Sequence, residues 1–122
     1  MSFDQRAILE RFAQAWATGN IDVLMTLVTD DCVYDASVGP NPGRTYQGQS
    51  EVREGFKAMV QYDAGGTSDE RCVMVQGDYA LTEWWYESRL PQGGTRRVRG
   101  CDIFQFRGDK ICRKDAFRKC TP

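Results

Sequence analysis

From Asp69 to Lys119 the chain reads as strand and turn, and this run limits the fold more than any other feature. Short turn signals at Gln76-Gly77-Asp78, Pro91-Gln92-Gly93-Gly94 and Gly108-Asp109 divide it into Asp69–Val75, Tyr79–Leu90, Thr95–Arg107 and Lys110–Lys119. Strands joined by such short connections must lie antiparallel beside one another. The C-terminal half is therefore expected to be a meander.

Helical periodicity is confined to the N-terminal half. Ser2 can cap a first helix, with Gln5 three residues on, and Ile8, Phe12, Ala15 and Trp16 form its apolar stripe. Gly19 ends this helix and Asn20 caps a short second one carrying Ile21, Leu24, Met25, Leu27 and Val28. Cys32 to Ala36 reads as a short strand. Val38 to Gly48, with two prolines and three glycines, reads as a loop. Ser50 can cap a third helix with Val52, Phe56, Met59 and Val60 on its buried side, and Ala64-Gly65-Gly66 stops it. Helices first and a meander last predict an α+β fold: a cone-shaped curved antiparallel sheet covered by three N-terminal helices, as one domain over 1–122. Sheet and helices would enclose a cavity suited to a small molecule.

Composition narrows the chemistry. The chain has 122 residues, 41% hydrophobic and 27% charged, with a net charge of −1. That balance gives no field for nucleic acid or an anionic membrane. No apolar run has membrane-span length, and the first residues lack a signal-peptide layout, so a cytoplasmic location is expected. Histidine is absent, which removes Ser-His-Asp and Cys-His systems and His-ligated metals. The five cysteines (Cys32, Cys72, Cys101, Cys112, Cys120) show no CxxC spacing and read as reduced core thiols. No metal or cofactor is expected, and acid–base chemistry falls to carboxylates, Lys, Tyr, Cys or water.

The candidate site grows from Arg99–Phe106, an apolar strand with one carboxylate. Alternation puts Gly100, Asp102, Phe104 and Phe106 on one face, and the aromatics should turn that face toward the helices. Asp102 would then line the cavity with a raised pKa, unless a cation or donor meets it. Phe12 and Trp16 would supply cavity wall as well as core. Glu83 shares a face with Leu81 and Trp85, opposite Trp84 and Tyr86. Glu83 and Trp85 line the cavity if that face is inside; otherwise Glu83 pairs across strands with Arg97 or Arg99. On the last strand, a tight Gly108-Asp109 turn would oppose Asp102 and Asp115, two acids. A bulge would instead bring Lys114 and Arg118 inward to balance Asp102, and this register is preferred. Asp35, at a strand end beside a turn, is either a turn-capping aspartate or a base at the cavity mouth.

The layout resembles the NTF2-like superfamily, in its SnoaL-like and ketosteroid-isomerase-like branch. Phe12 to Asp35, Gly43 to Phe56, Thr82-Glu83-Trp84 and Gly100 to Lys119 carry the resemblance. The resemblance implies Asp35 in the place of a general base and Asp102 in that of a protonated acid that donates to an enolate. It places Phe12 where the isomerases have a tyrosine, so one donor, worth ~3–4 kcal/mol in a transition state, would be missing. It also implies a homodimer through the open sheet face, for which Trp84, Tyr86 and Cys101 are candidates. The expected function is a cofactor-independent enzyme acting on a small apolar or aromatic molecule, of isomerase, dehydratase or cyclase type. The alternatives are water activation by an Asp–Arg–Asp set, as in epoxide hydrolases of this superfamily, and a non-enzymatic ligand-binding or dimerisation module.

Overall fold

A computed structural model describes residues 4–40 and 42–119. Ser2 and Cys120 lie outside the described residues. The chain runs α1 (Gln5–Thr18), α2 (Ile21–Thr26), β1 (Val28–Asp35), β2 (Thr45–Gln47), α3 (Gly48–Tyr62), β3 (Thr67–Gln76), β4 (Tyr79–Arg89), β5 (Thr95–Arg107) and β6 (Lys110–Arg118). The six strands form one sheet in the order β2-β1-β6-β5-β4-β3. It is an α+β fold, as expected, with the helices on one face of a curved sheet.

Local signals explain most boundaries. The Asp4 side chain caps α1 by accepting from the Ala7 N–H, and Asn20 caps α2 by accepting from Val23. Gly19 closes α1 at φ 69°, in the left-handed region open to glycine. At α3 the expectation of a Ser50 cap is corrected. The helix begins at Gly48 after an extended Gln47, whose N–H donates to the Glu51 carboxylate. The expected 38–48 loop in fact contains β2, which pairs antiparallel with β1 through Val33–Gln47 and Asp35–Thr45. The sheet is not wholly antiparallel either, because β1 joins β6 in parallel.

The core lies between the helices and the inner sheet face. Phe56, Tyr34, Leu24 and Ile111 are almost fully buried. Phe12 meets Phe56 and Phe104 edge-on, with centroids 5.7 and 5.6 Å apart, and Tyr34 lies 5.0 Å from Phe56. Such ring pairs add ~0.5–1.5 kcal/mol each beyond area burial. They also fix α1 and α3 against the strands that carry the candidate site.

Gly55 shows this packing from the other side. In a helix interior, Ala normally beats Gly by ~1 kcal/mol. A Cβ here would meet the Tyr46 ring at 2.6 Å, and that ring is held by stacking on Tyr34, with the Arg44 guanidinium 4.9 Å from its centroid. Gly55→Ala is therefore expected to destabilise the protein, by ~1–3 kcal/mol as overpacking does. Urea unfolding checks the sign; a stabilised variant would show that β2 does not press on α3.

Candidate functional site

β6 decides which side chains enter the cavity. Arg107 pairs with Lys110 across the Gly108–Asp109 turn, but the register then shifts, so that Gln105 opposes Arg113 while Phe106 opposes Ile111. Cys112 is the extra residue, and the expected bulge is present. Beyond it Phe104 faces Lys114, Asp102 faces Ala116 and Gly100 faces Arg118. Directly opposed residues share a face. Phe104 is buried under the helices, so Asp102, Lys114 and Arg118 share its inner face.

These residues line a cavity of about 190 Å³ that also takes in Phe12, Trp16, Tyr34, Asp63, Thr82 and Trp84. The Asp102 and Lys114 side chains are only 13% and 7% exposed, with Nζ 3.5 Å from Oδ1. That is an ion-pair contact too long for a good hydrogen bond, and Oδ1 has no well-formed one. Burial raises the Asp102 pKa above the ordinary aspartate value; Lys114, then the Trp84 indole N–H and Arg118, pull against it. Lys114 Nζ also faces three rings: Trp16 at 4.6 Å, Tyr34 at 4.9 Å and Phe104 at 5.9 Å. A cation over aromatic faces gains ~2 kcal/mol or more when desolvated.

A second pair, Arg118 and Asp63, also lines the cavity. Arg118 Nη2 donates to both oxygens of Asp63, at 3.0 and 3.1 Å, just past the end of α3. Its guanidinium lies 5.5 Å from the Trp84 ring and 5.7 Å from those of Tyr62 and Tyr86. The Tyr86 hydroxyl donates to the Asp63 carbonyl at 2.6 Å, which ties β4 to the same helix end. Glu70, at the mouth, has its pKa raised first by desolvation and then by the negative charge of Asp102.

Three expectations drawn from the sequence need correction. Asp35 does not join Asp102. Cys32 and Tyr34 point into the core, so alternation sends Asp35 to the outer sheet face. There Arg113 donates to Asp35 Oδ2 at 2.9 and 2.6 Å, and the Thr45 hydroxyl donates to Oδ1 at 2.7 Å. Arg113 also reaches Asp115 at 3.8 Å, so an Asp–Arg–Asp set exists, but outside the cavity. Glu83 is also outside, accepting from Arg99 Nε at 3.1 Å, which is the cross-strand alternative. Trp85 accompanies it, with Arg97 and Arg99 over its ring at 4.7 and 5.7 Å. Thr82, Trp84 and Tyr86 are the inward residues of β4, so Trp84 and Tyr86 do not furnish an open sheet face. Sequence patterning alone does not single out Asp63, Thr82, Trp84 or Tyr34 as cavity residues; the signal for Trp84 is its pairing with Gly100, where a Cβ would collide with the indole. Among the described residues no group of acidic or sulfur ligands is placed to hold a metal ion, and no helix is long and apolar enough to cross a membrane.

The raised Asp102 pKa has a definite consequence for stability. A carboxyl whose pKa is higher in the folded than in the unfolded chain stabilises the fold most below the unfolded value, ~3.9. That contribution is lost as pH rises through the folded value. Wild type should therefore lose stability relative to Asp102→Asn between pH 4 and pH 7, by ~1.4 kcal/mol for each unit of elevation. Urea unfolding of both proteins at several pH values reads the difference; a difference moving the other way would mean that Lys114 outweighs desolvation.

The SnoaL-like domain family matches residues 9–114. No curated protein sequence matches the chain. An NTF2-like protein of unknown function from Mesorhizobium loti is 21% identical, with a TM-score of 0.77 over 98% of both chains. An NTF2-like protein from Anabaena variabilis is 23% identical, with a TM-score of 0.78 over 96% of this chain and 87% of that one. A candidate polyketide cyclase from Sinorhizobium meliloti is 20% identical, with a TM-score of 0.72 over 90% of this chain and 93% of that one. At such identities the structures share a fold, and their activities do not transfer. With the match to residues 9–114 spanning both the helices and the cavity-lining strands, and with a fold shared with NTF2-like proteins, the chain belongs to the SnoaL-like domain family.

Proposed function

We propose that the cavity binds a small, mostly aromatic molecule bearing carbonyl or hydroxyl oxygens, and that Asp102 moves a proton on it, as an isomerase or cyclase does. The observation that carries this reading is the Asp102–Lys114 pair in the cavity wall. A desolvated carboxyl shifted toward neutrality can exchange a proton near neutral pH more readily than a solvated one. Lys114 supplies positive charge where a carbonyl oxygen would become an enolate, the role in which fixed donors contribute most. With Asp35 on the outer face, Asp102 takes the part of the base, and Lys114 that of the group stabilising the enolate. The likeness to a candidate polyketide cyclase is compatible with such a ligand.

Size limits the ligand. Pockets for drug-sized molecules run ~300–1,000 Å³. At about 190 Å³, one or two fused rings suit this cavity better than a steroid. The ring wall of Phe12, Trp16 and Phe104 favours a flat molecule.

A second reading has its own support. Asp102 already has a cationic partner, and an ion-paired acid suits a binding module that performs no chemistry. Exchange separates the two. Small aryl ketones that raise the melting temperature would be tested for proton–deuterium exchange at the carbon beside the carbonyl. Wild type should accelerate exchange, and Asp102→Asn should lower the rate ~10²-fold or more, as loss of a general base does. Ligands that raise the melting temperature with no acceleration of exchange would leave the binding module. We also propose pairing of two chains through the outer sheet face, where Ile103 and Phe117 are 36% and 47% exposed. Light scattering would give a monomer mass if this is wrong.

A further inference from the structure

The proton-transfer reading uses Lys114 only as a charge, yet its surroundings suit a bond-forming role. The chain has four lysines. Lys57, Lys110 and Lys119 are exposed, while Lys114 is 5% exposed and opens on the cavity. We infer that Lys114 is a nucleophile that condenses with small aldehydes or ketones entering the cavity, forming an iminium within the Trp16, Tyr34 and Phe104 rings. This rests on the reading of the cavity as the ligand site.

The step balances without any added reagent. The ammonium gives a proton to Asp102 Oδ1, 3.5 Å away, leaving a neutral amine. The nitrogen lone pair attacks the carbonyl carbon, and a C–N bond forms as the C=O π bond breaks. A second N–H proton moves to the alkoxide, giving a neutral carbinolamine. Asp102 then returns its proton to that hydroxyl, water leaves, and the C=N bond forms. One ammonium and one carbonyl become one iminium and one water.

Charge conservation is the reason this site fits. The rings and carboxylate that hold the ammonium can hold the iminium equally, so no cation has to be created or removed in the cavity. Asp102 Oδ1 has no well-formed hydrogen bond, which leaves it able to take and return the proton. Burial of Asp102 favours its neutral form and so the transient proton on it. Covalent capture by an amine in a desolvated, ring-lined pocket is an established way of activating a carbonyl.

The test uses the whole chain, benzaldehyde and sodium cyanoborohydride, which reduces an iminium to a stable amine. Intact mass and peptide mapping then locate the adduct. Lys114 is expected to label at least tenfold faster than Lys57, Lys110 or Lys119. Labelling that follows exposure, with Lys114 no faster than the others, overturns the inference. Lys114→Arg keeps the cation beside Asp102 and should remove the fast adduct; an undiminished fast phase in that variant also overturns it. Asp102→Asn, shown folded by circular dichroism, should slow Lys114 labelling at least tenfold, and an unchanged rate removes Asp102 from the step. Benzyl alcohol, which cannot condense, reports the cavity itself. If it binds while Lys114 fails to label, the covalent inference alone falls; if neither occurs, the cavity reading falls with it.

Discussion

One extra residue in β6 determines what this cavity contains. Without Cys112 as a bulge, the Gly108–Asp109 turn would carry its register unchanged to the sheet centre. Asp102 would then oppose Asp115, and Phe104 would oppose Arg113. Two carboxylates would face each other on the inner side while Lys114 and Arg118 went to solvent. A shift of one residue turns every later side chain to the other face, so the bulge acts on Lys114, Ala116 and Arg118 together. The like-charge repulsion it avoids and the ion pair it creates favour the same register.

The bulge also fixes what lies outside. β1 runs parallel to β6, with Tyr34 beside Lys114 and Asp35 beside Asp115. Once Lys114 is inside, Tyr34 joins its aromatic surroundings, and Asp35 meets Arg113 and Asp115 on the far face. The separation of Asp35 from Asp102 thus follows from the same register that brings Lys114 to Asp102. Outer-face pairs such as Asp35–Arg113, whose arginine is half-exposed, are worth ~0–1 kcal/mol. The inner pair is shielded from water, with side chains only 7% and 13% exposed.

The fold is legible in the sequence because its signals are local: helical stripes, Gly19, Asn20 and three turn sequences. Asp102, Phe12 and Trp16 are legible because aromatic neighbours on a strand or helix reveal the inner face. β4 is not, for a reason of one residue. A four-residue turn at 91–94 would pair Glu83 with Asp102 and bring Trp85 inward. Leu90 instead belongs to the turn, its N–H donating to Gly94 O, and Arg89 pairs with Thr95. Thr82 then faces Asp102, and Trp84 and Tyr86 replace Glu83 and Trp85 inside. β2 is hidden for another reason: its three residues are too few to show a period, and their strand character comes from pairing with β1. Asp35 is misplaced by the resemblance although a local signal is present, since a buried Tyr34 requires its neighbour to face out.

The inner pairs pose an energetic question that bears on function. Burying an ion pair costs several kcal/mol per ion in desolvation, and apolar residues of similar volume are often as stable or more so. A small domain with ~5–15 kcal/mol in hand is not stabilised best by two such pairs in one cavity. The surroundings of these pairs lower that cost. Lys114 has three rings and a carboxylate, while Arg118 has three rings and both oxygens of Asp63. Those contacts hold two cations on one wall of the cavity, with Ala116 leaving space between them. A wall shaped only for stability would fill that space with a larger apolar side chain. Room beside two held cations and a carboxyl shifted by burial would suit the oxygen-bearing ligand proposed for this cavity.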